Sequence, residues 1–197
     1  MPTAAEIIAF DDSPPPPGLS PWVGTPEQPR RIEIVEPDAA WPRTFAVLRD
    51  RLLDALGERA LQIEHVGSTS VPDLAAKPVI DIDLTVADTD DEDAYVPALE
   101  ARGFVLRVRE PWWQGHRCLV LAAPAANLHV WPPDSAEPVR HRLFRDHLRE
   151  NAADRELYAR TKRAVAVDGL MSAYNARKQR VVREICARAF AAAGLLP

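Results

Sequence analysis

Residues 60–86 read ALQIEHVGSTSVPDLAAKPVIDIDLTV. Two apolar runs flank a polar turn. Ala60 to Val66 is short and rich in apolar residues and empties into Gly67-Ser68-Thr69-Ser70, which predicts a strand leading into a tight loop. From Pro78 to Val86 the chain alternates, with Ile80, Ile82, Leu84 and Val86 on one face and Asp81 and Asp83 on the other. A period of two with one apolar face is the pattern of a strand that covers a core and turns acidic groups away from it.

Upstream, Trp41, Phe45, Leu48, Leu52 and Leu56 recur at helical spacing, with Pro42 suited to a first turn and Gly57 to a stop. Downstream, Thr89 and Glu92 have the spacing of a capping box ahead of a helix through Tyr95, Val96 and Leu99 that closes at Gly103. Three more strands are expected, at 104–108, 116–122 and 127–131, the last two as a hairpin around Pro124. Helices follow near 139–151, 154–166 and 174–192. Strands gathered in the middle and helices at the end predict an α+β fold, a mixed sheet with helices packed on one face.

Residues 1–30 hold Pro14 to Pro17, then Pro21, Pro26 and Pro29. They read as a proline-rich tail anchored by Trp22, with the folded domain over residues 31–197. A chain of 197 residues, 47% hydrophobic and 27% charged, supports one ordinary core. A net charge of −5 supplies no basic field, so nucleic acid is not favoured as a partner. Cys118 and Cys186 have no metal-ligand spacing and read as buried thiols. With no membrane-length apolar run and no secretory leader pattern, a cytoplasmic protein is expected.

Asp81 and Asp83, two residues apart on one strand face, place their Cα atoms about 6.6 Å from each other, so their carboxylates can converge on a hard cation such as magnesium or another divalent ion. Taken alone, such a pair is more often a solvated strand face. Gly67 and Ser68, with Thr69 beside them, leave the preceding strand where backbone amides and a hydroxyl can hold a phosphate. Strand, Gly-Ser loop and Asp-x-Asp strand are the ordered parts of a nucleotidyltransferase site. Lys77 is placed to reach a phosphate, and Arg117 and Arg145 are candidates for the same anion. His65 suits bracing of the loop, and Trp112 and Trp113 suit packing on the sheet more than stacking on a base.

The run His65-Val66-Gly67-Ser68-Thr69-Ser70-Val71-Pro72, followed by Leu74-Ala75-Ala76-Lys77-Pro78 and Asp81, resembles the signature of the GrpB family, a branch of the nucleotidyltransferase superfamily. The resemblance continues through Trp41-Pro42, Leu128-His129-Val130, the segment from His141 to Asp146, and Lys178, covering about residues 32 to 190. It implies a GrpB-like fold, with Gly67 and Ser68 in a phosphate loop and Asp81 and Asp83 as metal ligands, and it implies no particular reaction. His129 stands where the wider superfamily has a third carboxylate, which lowers the negative charge offered to magnesium. Two functions are therefore expected to compete. One is a metal-dependent transfer of a nucleoside monophosphate from a nucleoside triphosphate to an unknown acceptor, with Asp81, Asp83 and His129 catalytic. The other is a non-catalytic module that keeps the fold and binds a nucleotide or other ligand.

Overall fold

The computed structural model describes residues 1–11 and 13–196. In chain order the elements are α1 (Ala4–Ile8), α2 (Trp41–Leu56), β1 (Gln62–Val66), β2 (Ile80–Thr85), α3 (Val96–Glu100), β3 (Val105–Glu110), β4 (His116–Leu121), β5 (Ala126–Trp131), α4 (Glu137–Glu150), α5 (Ala152–Val165) and α6 (Met171–Ala192). Single 3₁₀ turns occupy Gly57–Arg59, Ser68–Ser70 and Glu92–Ala94. The five strands form one sheet in the order β1-β2-β5-β4-β3. β2 lies parallel to β5, and the other three pairings are antiparallel, so the sheet is mixed as expected.

The alternation of β2 places its two faces as expected. Ile80, Ile82 and Leu84 are at most 2% exposed and join Leu128 and Val130 of β5 and Leu48, Leu52 and Leu56 of α2 in the main core. Burying each of those leucines contributes at most about 1.5–3 kcal/mol, which is why the apolar stripe of α2 selects this face. On the opposite face, Asp81 lies beside Asn127 and Asp83 beside His129 across the parallel pairing. α4, α5 and α6 pack on one another around Leu148, Tyr158 and Ile185 and lie over that polar face.

Two local readings change. Thr89 and Glu92 form no capping box, and α3 begins at Val96 with Pro97 in its first turn and no side-chain cap. The Glu92 carboxylate instead accepts from Arg109 at 2.7 and 2.5 Å and from Arg117 at 2.6 Å, because a buried guanidinium nearby needs a counter-charge more than a short helix needs a cap. The N-terminal arm has more anchors than Trp22, whose backbone bridges Val108 of β3. α1 has its own capping box, with the Thr3 hydroxyl accepting from the Glu6 amide and Glu6 accepting from the Thr3 amide. Ile7 is buried, and Arg140 of α4 donates to the carbonyls of Glu6, Ile7 and Ala9.

Candidate functional site: a lysine-lined cavity over the aspartate face

Between the polar face of the sheet and helices α4–α6 lies a cavity of about 730 Å³. Its wall includes Gly67, Ser68, Thr69, Lys77, Asp81, Asn127 and His129, met from the helices by His141, Tyr158, Lys162, Tyr174 and Lys178. Of the 24 basic residues, only three are lysines, and all three stand here. Every other basic position is arginine. None of the three lysines has a carboxylate partner among the described residues; Lys77 Nζ contacts Met171 Sδ at 2.9 Å, Lys162 Nζ lies 2.9 Å from Ser68 Oγ, and Lys178 Nζ donates to Tyr158 Oη at 3.4 Å. Burial pushes Lys77 down to about 8 and Lys162 to about 6, and it lowers Lys178 as well.

The glycine-serine turn reaches the cavity as expected, and its glycine is obligatory. Gly67 has φ 66°, and a Cβ there would lie 2.3 Å from Asp81 Oδ2, so only a residue without a side chain lets the turn fold onto the aspartate strand. His65 braces the turn, its Nε2 pairing with Thr69 Oγ1 at 3.0 Å while its ring stacks on Phe45 at 4.6 Å. Ser70 Oγ donates to the Gly67 carbonyl at 2.6 Å. With those two hydroxyls committed to the loop, Ser68 is the one presented to the cavity.

The two aspartates, read from sequence as equivalent, have different fates. Asp81 lines the cavity and accepts one bond, from Asn127 Nδ2 at 2.8 Å. Asp83 is 2% exposed, accepts from Trp131 Nε1 at 2.9 Å and meets His141 Nδ1 at 2.8 Å. Burial alone would lower His141; the charge of Asp83 and its hydrogen bond outweigh that and hold the imidazole at about 9, so the pair is ionic at neutral pH. Asp83, in turn, is held below the usual carboxylate range against the upward push of burial, chiefly by His141. No cluster of three His, Cys, Asp or Glu side chains able to hold a metal occurs among the described residues. One open carboxylate facing three lysines is a donor set for an anion, and it does not fit a resident magnesium ion.

His129 also faces the cavity. Burial, followed by the neighbouring His116, lowers it to about 4, so it is a neutral hydrogen-bonding group at neutral pH. Its Nδ1 lies 3.0 Å from His116 Nε2, and His116 Nδ1 lies 2.7 Å from Glu110. Trp113 packs edge-on against His116 and Trp131, so that tryptophan belongs to the sheet packing.

Two candidates do not reach the cavity. Arg117, 3% exposed, lies on the sheet face turned away from Asp81 and is bound by Glu92 and Asp90 at 2.6 and 2.7 Å. Strand parity explains the difference: Cys118 sits opposite His129, so Arg117, one residue earlier, points to the other side. Arg145 is spent on Glu64 at 2.9 Å, the His65 carbonyl at 2.9 Å and Asp146 at 2.8 Å. The groups not nominated from sequence are Asn127, His141, Tyr158, Lys162, Tyr174 and Lys178. The exclusive placement of lysine was a legible signal for two of them.

A mixed five-stranded sheet, with a Gly-Ser turn leaving one strand and an aspartate strand beside it, defines the protein as α+β. A family model described as GrpB protein matches residues 31–188, and this chain belongs to the GrpB family. It is 46% identical over 160 residues to UPF0157 protein BH1888 of Halalkalibacterium halodurans, covering 80% of this chain and 82% of that one. The crystal structure of the conserved protein GrpB from Enterococcus faecalis superposes with a TM-score of 0.70 at 30% identity, over 80% of this chain and 96% of that chain. A shorter stretch of 76 residues is 43% identical to part of a dephospho-CoA kinase of Mycolicibacterium paratuberculosis, covering 37% of this chain and 19% of that enzyme. No helix among the described residues is long and apolar enough to cross a membrane.

Proposed function

We propose that the cavity binds a nucleoside triphosphate, or a small molecule phosphorylated in the same manner, with the phosphates held by the Gly67–Thr69 turn and by Lys77 and Lys178. The carrying observation is the convergence of all the chain's lysines on one cavity without a carboxylate partner among the described residues. Lowered lysines kept close together without counter-charges destabilise the empty fold, and a polyanion supplies what they lack. The Tyr174 hydroxyl, buried and without a hydrogen-bond partner among the described residues, is a further vacant donor on the same wall. Phe144 and Phe10 give a base apolar surface to rest on.

Thermal shift with ATP, the other nucleoside triphosphates and inorganic triphosphate tests this reading. Stabilisation is expected in EDTA as well as in magnesium, and Lys77→Met is expected to weaken binding at least tenfold. No shift with any of these polyphosphates would sink the reading.

A second reading, metal-dependent transfer of a nucleoside monophosphate to an acceptor, is favoured by the placement of Asp81, Asp83 and His129 side by side on β2 and β5. It requires His141 to release Asp83 to magnesium or another divalent ion. Turnover that depends on the ion and vanishes in Asp81→Ala would select it over binding alone.

A further inference from the structure

Lys162 is a buried amine without a carboxylate partner among the described residues. It is 2% exposed, belongs to α5, and its amine ends against the Ser68 hydroxyl at 2.9 Å and the Ala75 carbonyl. The groups that face it from every side are Lys178 of α6, Arg163 of its own helix, Lys77 before β2, Asp81 of β2 and Tyr158. All the charged ones except Asp81 oppose protonation, and burial opposes it most, so that the amine falls to about 6 and is neutral at pH 7. A neutral amine has one lone pair. With an N–H directed to the Ala75 carbonyl, that pair is free to accept the Ser68 O–H. An arginine could not do this, since its guanidinium keeps its proton at any pH a protein meets, which is a physical reason for lysine at this position in a chain that otherwise uses arginine.

We propose that Ser68 is a nucleophile toward phosphorus, with Lys162 as the base that takes its proton. In the step, a bond forms between Ser68 Oγ and the phosphorus of a phosphoester or phosphoanhydride. The bond from phosphorus to the leaving oxygen breaks, its electron pair departs with the leaving group, and the serine proton passes to Lys162 Nζ. The ammonium so formed lies beside the new phosphoseryl group, with Lys77 and Lys178 on the same cavity wall to meet its oxygens. The Tyr158 hydroxyl, in contact with Ser68 and receiving a bond from Lys178, fixes the approach. The turn supports the assignment: Thr69 and Ser70 spend their hydroxyls on His65 and on the Gly67 carbonyl, and only Ser68 is paired with an amine. The natural substrate class rests on the phosphate reading of the cavity, whereas the reactivity of the hydroxyl does not.

The test therefore uses a probe that needs no phosphate recognition. The full chain is treated at pH 8 with an alkyl fluorophosphonate, in which phosphorus is attacked and fluoride leaves, and the adduct is located by peptide mass spectrometry. A single phosphonyl group on Ser68 is expected, absent in Ser68→Ala. Lys162→Arg, which puts a permanent cation where the neutral amine stood and so removes the base, is expected to slow labelling by on the order of 10²-fold or more. Lys162→Met, checked by circular dichroism for retained fold, is expected to do the same. An unlabelled Ser68 in the folded wild type would overturn the proposal, and so would wild-type labelling in Lys162→Arg. Triphosphate binding by thermal shift is scored separately, so that loss of the phosphate reading and loss of the nucleophile are told apart.

Discussion

The two faces of β2 are built from alternate residues of one six-residue strand, yet they are held by different physics. Ile80, Ile82 and Leu84 need only to be apolar and of the right volume, and α2 covers them. Asp81 and Asp83 need named partners: Asn127 for one, Trp131 and His141 for the other. The apolar face carries stability and tolerates conservative change. The polar face carries specificity, and there each partner removed leaves another group stranded. Asp81 and Asp83 thus stand on the back of a strand whose other face is fully packed.

Breaking the dry face is expected to have the largest effect on stability. Ile82→Ala opens a void at a fully buried position and should lower unfolding free energy by about 2–5 kcal/mol in urea titration. A loss under about 1 kcal/mol would show that this face is loosely packed and would remove the contrast. Next is Asp83→Asn, which keeps the shape and discharges the ion pair with His141, at about 1–3 kcal/mol. The pH dependence sharpens it. His141 is raised above its unfolded value of 6.5 to about 9, so its contribution is complete below about pH 6.5 and fades as pH climbs toward 9. Asp83 is lowered from 3.8, so its contribution is present above that value and lost in acid. The gap between wild type and Asp83→Asn should be widest between about pH 4 and 6.5 and should narrow by pH 9. A gap that is flat across this range would mean that Asp83 and His141 are not an ion pair.

The dry face was legible because alternation is a local property of the sequence, and strand parity then places Asp81 and Asp83 together without further information. The Gly-Ser turn was legible for the same reason: its residues are contiguous. What escaped lies in groups brought together across long separations. His141 meets Asp83 from 58 residues away and Lys162 meets Ser68 from 94, and no periodicity links helix to strand over such a span. Arg117 was misplaced by a single residue of parity, since β4 begins at His116 and the strand pairing that fixes its face lies outside its own sequence. Glu92 was read through a local rule for helix caps and was captured instead by Arg109 and Arg117 from the neighbouring strands.

The smallest expected effect on stability divides the aspartate pair itself. Asp81→Asn should change unfolding free energy by no more than about 0.5 kcal/mol, because an amide oxygen can still accept from Asn127 and no cation stands within ion-pair distance of Asp81 among the described residues. The lysines it faces lie across an open cavity, where solvent weakens the attraction. A loss as large as that of Asp83→Asn would show that both carboxylates are structural and would dissolve the division between a buried clamp and a cavity-facing charge. The effect of Asp81 belongs to the ligand instead. In EDTA its removal takes a like charge away from a bound triphosphate and should tighten binding several-fold by isothermal titration. Weaker binding confined to solutions containing magnesium would place Asp81 on a bridging ion, and the metal-dependent reading would then describe the site better than the lysines alone.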